Sequence, residues 1–292
     1  VALVDLRQLT PGRSRGVLWP AEGQDVYEVG REETIPEPVS QVVGHLWSVT
    51  WRRPAERGFR SSVLTNPIPH LTFEDAEGGR LHDRPVPAAL LHGLVSQVFT
   101  VDLPVAGRVT GVAFHPGGLT ALRGTGMRGL TDRVLPASEI FGGPVDDVAR
   151  EVLSERDETV RRGLVLDYLG ELLGPQLDRV ASDAAYQLVR RAEGLMRARE
   201  LVSLTPVAEQ VNVSPRTLQR MFARYVGASP LWVLRRYRLQ DAATAIDAGE
   251  GEDLAGLAAS LGFADQAHFT RAFTAVIGVP PSRYRDGQRP AT

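Results

Sequence analysis

Ten side chains on two short stretches have the types and spacing to read the edges of base pairs. Arg216, Thr217, Gln219, Arg220 and Arg224 lie within SPRTLQRMFARY, and Gln266, Ala267, His268, Thr270 and Arg271 lie within LGFADQAHFTRAF. Arg forks onto guanine, Gln onto adenine, and Thr or Ala methyls meet the thymine methyl in the major groove. For such residues to act together they must share one face of a helix. At about 100° per residue, Phe269, Ala272, Phe273 and Val276 fall on one side. Ala267, Thr270, Arg271 and Thr274 then fall on the other, flanked by Gln266 and His268. In the earlier stretch Leu218, Met221, Phe222 and Tyr225 point inward; Arg216, Gln219 and Arg220 point outward, flanked by Thr217 and Arg224.

The elements that must carry these rows are duplicated. LTPVAEQVNVSPRTLQRMFARYVGASP, from Leu204, aligns with LAGLAASLGFADQAHFTRAFTAVIGVPP, from Leu254. Leu204 meets Leu254 and Ala208 meets Ala258; after one inserted residue in the second turn, Leu218 meets Phe269, Arg220 meets Arg271, Phe222 meets Phe273, Gly227 meets Gly278 and Pro230 meets Pro281. Matching glycines and prolines at a fixed period mark an internal repeat. Each copy predicts a short helix, a tight break (Val211-Asn212-Val213 or Leu261-Gly262-Phe263) and a second helix opened by a capping residue. Ser214 caps ahead of Pro215 in one copy, and Asp265 can do the same in the other. Two short helices joined by such a turn form a helix-turn-helix unit.

Between the copies, SPLWVLRRYRLQDAATAIDAG begins with a cap and a first-turn proline and stops at Gly249. About 19 residues at 1.5 Å each make a rod of about 28 Å, close to the ~34 Å between major-groove faces one turn apart. A single chain could then set two recognition helices in successive grooves on one side of an asymmetric site. The run Arg235-Arg236-Tyr237-Arg238 is expected to meet phosphates or to form a solvated, salt-bridged face of this rod.

The rest of the chain reads differently. Up to about Val112, runs such as VVGHLWSVTW, SSVLTNP, HLTFED and SQVFTVDL are short, β-branched and aromatic, with Pro, Gly and Asp between them. GVAFHPGGLTALRG predicts a strand running through His115-Pro116-Gly117-Gly118 into a short helix; the two glycines make a turn, with an anion nest as the alternative. From Pro144, Val145, Val148, Val152, Leu164, Leu169, Leu172 and Leu173 fall at helical spacing, predicting two helices that end near Gly174-Pro175. Their apolar stripe is suited either to dimerisation or to packing on the β-rich part.

The 292 residues suffice for two domains. With no cysteine, the sequence holds no disulfide, thiolate metal site or cysteine nucleophile, and a reducing cytosolic setting is expected. No run is long and apolar enough for a bilayer, and the opening VALVDLRQLTPGRSRG does not read as a leader, so no membrane partner is expected. The net charge of −2 is uneven: residues 181–292 hold 14 Arg against 11 acids, and the part before them 19 Arg against 24 acids, with no Lys in either.

At these residues the C-terminal part resembles the AraC/XylS family of bacterial transcription regulators. The resemblance rests on Arg-Leu-x-x-Ala from Arg238, Gly-Phe-x-Asp-Gln-x-x-Phe-x-Arg-x-Phe from Gly262, and Gly-x-x-Pro-x-x-Tyr-Arg from Gly278. It implies two helix-turn-helix units joined by a long helix, with base reading by Arg216, Gln219 and Arg220, then Gln266, Ala267, His268 and Arg271. Ala264, Thr274-Ala275 and the acidic GEGED loop depart from the family pattern and predict weaker phosphate attraction by the second unit. HLWSVTW and GVAFHPGGLTALRG are similar to the N-terminal domain that accompanies many such regulators, which implies a cupin-like sensing domain.

The expected fold class is therefore α+β and multidomain. A β-rich, cupin-like region expected to act as a sensor spans 1–143, a helical connector 144–180, and an all-α domain with two helix-turn-helix units 181–292. The expected function is a sequence-specific DNA-binding transcription regulator, with activator as the working term and the sign, activator or repressor, left open by the sequence, cytoplasmic and nucleoid-associated. The alternative is an enzyme or small-molecule-binding domain tethered to a DNA-binding module. Double-stranded DNA is the expected partner, with RNA polymerase, a small-molecule effector and a second copy of the chain as further candidates. No catalytic motif is found and no cofactor is expected. His45, His70, His82, His92 and His115 precede residue 181 without any His-x-His pair, so no metal site is expected and they read as separate, hydrogen-bonded side chains. Trp47, Trp51, Phe59 and Phe73 are expected in the core of the first domain, or lining a pocket for an apolar effector.

Overall fold

The structure, a computed structural model, describes Leu18 and residues 27–52, 59–198 and 203–287. Strands β1 (Tyr27–Glu32), β2 (Val43–Arg52), β3 (Phe59–Val63), β4 (His70–Ala76), β5 (Arg80–Leu81), β6 (Arg84–Pro85), β7 (Ala88–His92), β8 (Phe99–Leu103) and β9 (Ala106–Phe114) come first. A short helix α1 (Gly118–Arg123) and strand β10 (Val134–Pro136) complete the β-rich part. Six strands form one antiparallel sheet in the order β1-β2-β9-β4-β7-β10; β3 pairs with β8 and β5 with β6 as separate ribbons. The β-rich part is thus one large and two small sheets among the described residues.

The pleat assigns the two faces of the large sheet. Leu46, Val112, Leu71 and Leu91 stand opposite one another across β2, β9, β4 and β7 and are fully buried. They face helices α2 (Ser138–Phe141), α3 (Pro144–Ser154) and α4 (Glu158–Leu173), sharing a core with Val145, Ala149, Val152, Val165 and Leu169. Each such side chain contributes about 1.5–3 kcal/mol by leaving water. The apolar stripe of residues 144–173 is therefore used within the chain, on the sheet. The next row, Trp47, Gly111, Thr72 and Leu90, points to the other face. Gly111 is required there, since a Cβ would sit 2.2 Å from the Trp47 ring.

Strands β2, β3, β4, β8 and β9 fall on the runs chosen from sequence. The sequence does not mark strand β7, because AALLH lacks alternation: all but its first residue are buried, as suits a strand covered on both faces. Of the four aromatics expected in this core, Trp51 and Phe73 are buried, whereas Trp47 and Phe59 are half-buried at the edge of a smaller cluster with Val86, Leu103 and Val109.

Helix α4 ends at Leu173 and the chain turns through Gly174–Gln176, then continues in α5 (Leu177–Ala181) and α6 (Ala184–Arg197). The C-terminal part comprises α7 (Leu204–Gln210), α8 (Pro215–Tyr225), α9 (Pro230–Asp247), α10 (Leu254–Ser260), α11 (Gln266–Ile277) and α12 (Pro281–Arg285). Two cores organise it. Helices α6, α7, α8 and the first half of α9 share the core of the large sheet, through Tyr186, Val207, Leu218, Phe222, Val233 and Tyr237. The second half of α9 packs with α10–α12 around Phe263, Phe269, Phe273, Ile277 and Tyr284, together with Leu18 and Leu64. No helix among the described residues is long and apolar enough to cross a membrane.

Candidate nucleic-acid interface

The two halves of the repeat fold alike at the level of single hydrogen bonds. After α7, Asn212 takes φ 57°, and Asn212 N and Val213 N donate to Glu209 O and Ala208 O. After α10, Gly262 takes φ 76°, and Gly262 N and Phe263 N donate to Ala259 O and Ala258 O. Asn and Gly are the residues that adopt this left-handed conformation most readily. The next helix is then capped as expected: Ser214 Oγ accepts from Thr217 N at 3.1 Å, and Asp265 Oδ1 from His268 N at 2.6 Å. Both helices end at a left-handed or turning glycine, Gly227 (φ 83°) and Gly278 (φ 91°).

Helices α8 and α11 turn the faces inward that the sequence predicts. Leu218, Phe222 and Tyr225 are buried on α8, and Phe269, Phe273 and Ile277 on α11. Arg216, Gln219, Arg220 and Arg224 are exposed on α8; Gln266, Ala267 and Arg271 are exposed on α11. Thr217, His268 and Thr270 are half-buried. Thr217 Oγ1 accepts from Ser214 Oγ at 3.0 Å, so its hydroxyl is engaged in the cap. His268 leans back on Phe263, ring centroids 5.4 Å apart. Arg224 lies over the Tyr225 ring at 5.4 Å, and its carbonyl accepts from Met127 N at 3.3 Å. The outer face of α8 is thus free toward its N-terminal end and meets the β-rich part at its C-terminal end. Each row is contiguous on its own helix, and the two rows belong to separate units at opposite ends of α9.

Helix α9 runs between them for 18 residues, capped by Ser229 Oγ on Trp232 N at 3.2 Å. The Arg235–Arg238 run on it corrects the sequence expectation. Arg235 is exposed, but Arg236 and Arg238 are only 2% and 3% exposed. Arg236 donates to Thr65 O (3.0 Å), Ser96 O (3.3 Å) and Gln97 O (2.8 Å) in two loops of the β-rich part. Burial lowers its guanidinium to about 10. Arg238 donates to Met196 O and Ala198 O at the end of α6 and to Asp241. Carbonyls take Arg236, and carbonyls with the Asp241 carboxylate take Arg238, so the salt-bridged alternative holds for Arg238 while neither side chain is left to phosphates or solvent.

Further contacts that sequence reasoning missed fix the first unit to the β-rich part. Tyr186 Oη donates to Gln41 O at 2.6 Å and Thr120 Oγ1 to Tyr225 O at 2.9 Å; within the helical part, Tyr225 Oη donates to both oxygens of Asp183 at 2.8 Å. The His115–Gly118 turn lies at this junction: Gly118 N donates to His115 O at 2.7 Å, and a Cβ on Gly118 would sit 2.3 Å from Val42 O. His115 Nε2 lies 3.1 Å from both Ser40 O and Arg190 Nη2, and burial with the Arg190 charge lowers its imidazole to about 4.

A second correction concerns the histidines. His70 is held singly, accepting from Trp47 Nε1 at 3.1 Å; burial, with the charges of His92 and Arg31, lowers its imidazole to about 3. His82 and His92 are not separate. Both rings converge on Glu74, which is nearly fully buried. No sequence motif signals this, because a hairpin and a strand pairing bring the three together.

A family described as "Helix-turn-helix domain" matches residues 207–287, and a "Domain of unknown function (DUF6597)" matches residues 33–136. A Streptomyces lividans protein named as an AraC-like transcription regulator is 35% identical over 83 residues, 28% of this chain and 27% of that protein. The transcriptional activator RhrA of Rhizobium meliloti is 38% identical over 84 residues, 28% of this chain and 26% of that protein. The chain thus spans about a quarter of the length of these curated relatives. The C-terminal domain of AraT, a response regulator from Geobacillus stearothermophilus, is similar at 30% identity and TM-score 0.32, over 36% of this chain and 88% of that one. With their twin units capped, turned and joined as described, residues 207–287 belong to that helix-turn-helix domain family, and over this stretch the chain is similar to AraC-like regulators.

Proposed function

We propose that this protein is a sequence-specific DNA-binding transcription regulator in which residues 1–143 sense an effector, 144–180 connect, and 181–292 read DNA. One observation carries the reading: two duplicated units, on either end of one buried helix, both leave their base-reading rows open to solvent. The 18 residues of α9 give about 27 Å at 1.5 Å each, near the ~34 Å repeat of the major groove. Arg216, Gln219 and Arg220 read one groove; Gln266, Ala267 and Arg271 read the next. Thr217, Arg224, His268 and Thr270 support at the margins, through methyls or phosphates. A small-molecule effector on the β-rich part and RNA polymerase on the DNA-bound form are the partners this reading includes. The role is regulatory and not enzymatic.

The test is a gel shift with promoter DNA against non-specific competitor over a range of salt. Arg216→Ala and Arg271→Ala are each expected to cost about 1–3 kcal/mol of specific binding. Binding that is absent, or equally tight to any sequence, overturns the proposal.

A further inference from the structure

The geometry points to a divalent transition-metal site formed by Glu74, His82 and His92 in the β-rich part. Their ligand atoms all lie within 4.8 Å of one another. Glu74 projects from β4 and leans past Thr72, whose hydroxyl donates to its Oε1 at 2.6 Å, with Leu90 O at 3.3 Å as a second, longer acceptor. His92, on the neighbouring β7, places Nε2 2.8 Å from Glu74 Oε1. His82 comes from elsewhere: it sits at the tip of the β5–β6 hairpin, where it and Asp83 take φ 52° and 58°. Two successive positive φ angles fold the tip sharply, and His82 Nε2 comes to 3.3 Å from Glu74 Oε2.

Three observations favour an ion over a simple buried ion pair. Glu74 is 1% exposed, yet its Oε2 has no hydrogen-bond partner. A buried carboxylate oxygen without a hydrogen bond is costly, and the His82 Nε2 that faces this one stands 3.3 Å away. Ligands on a shell of about 2.0–2.2 Å stand roughly 3.0–3.5 Å apart, and the two separations of 2.8 and 3.3 Å are close to that. The Phe99 ring, 5.1 Å from His82 and 5.6 Å from His92, walls one side. Two imidazoles and one carboxylate suit zinc, iron(II), cobalt or nickel, whereas calcium and magnesium take oxygen ligands. On binding, each Nε2 gives its lone pair to the ion and the ring proton resides on Nδ1. Thr72 then orients the carboxylate from the second layer. The remaining coordination position is open to water or a small ligand. The site stands independently of the DNA reading.

The full chain, stripped with a chelator, is titrated with zinc(II) by calorimetry and with cobalt(II) by visible absorption. The expected result is one tightly held ion per chain and cobalt d–d bands of a low-coordinate N,O site. His82→Asn keeps the fold, because Asn tolerates positive φ, and Glu74→Gln keeps the shape. Each is expected to weaken binding by at least about 100-fold and to erase the cobalt bands, with thermal melts of the ion-free proteins confirming folding. If Glu74→Gln does not fold, His82→Asn decides. Wild-type protein that binds no more tightly than the folded variant, or a variant that keeps the cobalt bands, overturns the proposal.

Discussion

Asn212 and Gly262 do the same work with different side chains. Both take left-handed φ, 57° and 76°, at matching positions in the two turns, and both are followed by the same pair of backbone hydrogen bonds. Gly adopts this conformation without steric cost, and Asn nearly so. Gly262→Ala is therefore expected to destabilise the second unit by about 1–2 kcal/mol, whereas Asn212→Gly stays within about 0.5 kcal/mol of wild type. Urea unfolding checks both, and equal effects would mean that the turns are not equivalent. The caps make a parallel case. Ser214→Ala and Asp265→Ala each remove the acceptor for one helix-opening N–H, at about 1 kcal/mol apiece. Because these residues act through backbone geometry, the proposed DNA binding is expected to weaken only as far as the substitutions misplace α8 or α11.

Elements differ in how far the sequence reveals them. The bounds of α9 were legible, since Ser229-Pro230 opens it and Gly249 follows its end. Its surroundings were not. Arg stems can lie in apolar surroundings while the guanidinium finds carbonyls, so Arg235 and Arg236 look alike in sequence although one is exposed and the other is buried. The faces of α8 and α11 were legible because a single period of 3.6 separates inside from outside. Glu74, His82 and His92 were not, because only tertiary pairing of β4, β7 and the β5–β6 hairpin unites them. The C-terminal end of α9 offers a pH test. Burial pushes the Asp247 carboxyl up to about 6 from an ordinary 3.8, against a hydrogen bond from Tyr284 Oη at 3.1 Å that lowers it. The folded protein then binds this proton more tightly than the unfolded chain, so the contribution is full below about pH 4 and is lost as pH rises through about 6. Asp247→Asn, which stays neutral, is expected to be more stable than wild type by about 1–2 kcal/mol at pH 7–8, after discounting for partial exposure, with the gap closing near pH 4. Thermal melts at both pH values measure it; a gap that does not depend on pH refutes the assignment.

At the scale of the molecule, the two helix-turn-helix units are held differently. The first shares one continuous core with the large sheet and α3–α4, whereas the second packs around its own aromatic cluster and meets the β-rich part through Leu18 and Leu64. Helix α9 crosses from one core to the other, and Arg236 binds it to the loops at Thr65 and Ser96–Gln97. Gln240 adds a bond from Nε2 to Leu64 O at 2.6 Å. A ligand that shifts those loops would therefore act on the helix that sets the spacing of the two reading rows, a bias between arrangements in the sense of population shift. Arg236→Met fills similar space but leaves three carbonyls without their donor, so the protein is expected to lose about 2–4 kcal/mol of stability. If the loops constrain α9, the variant also binds promoter DNA with an affinity changed several-fold in either direction, although Arg236 itself is buried and touches no base. Calorimetric melts and gel shifts on the same preparation separate the two effects. A variant that loses stability yet binds DNA with wild-type affinity and specificity would show that the loops brace the fold without governing the reading heads.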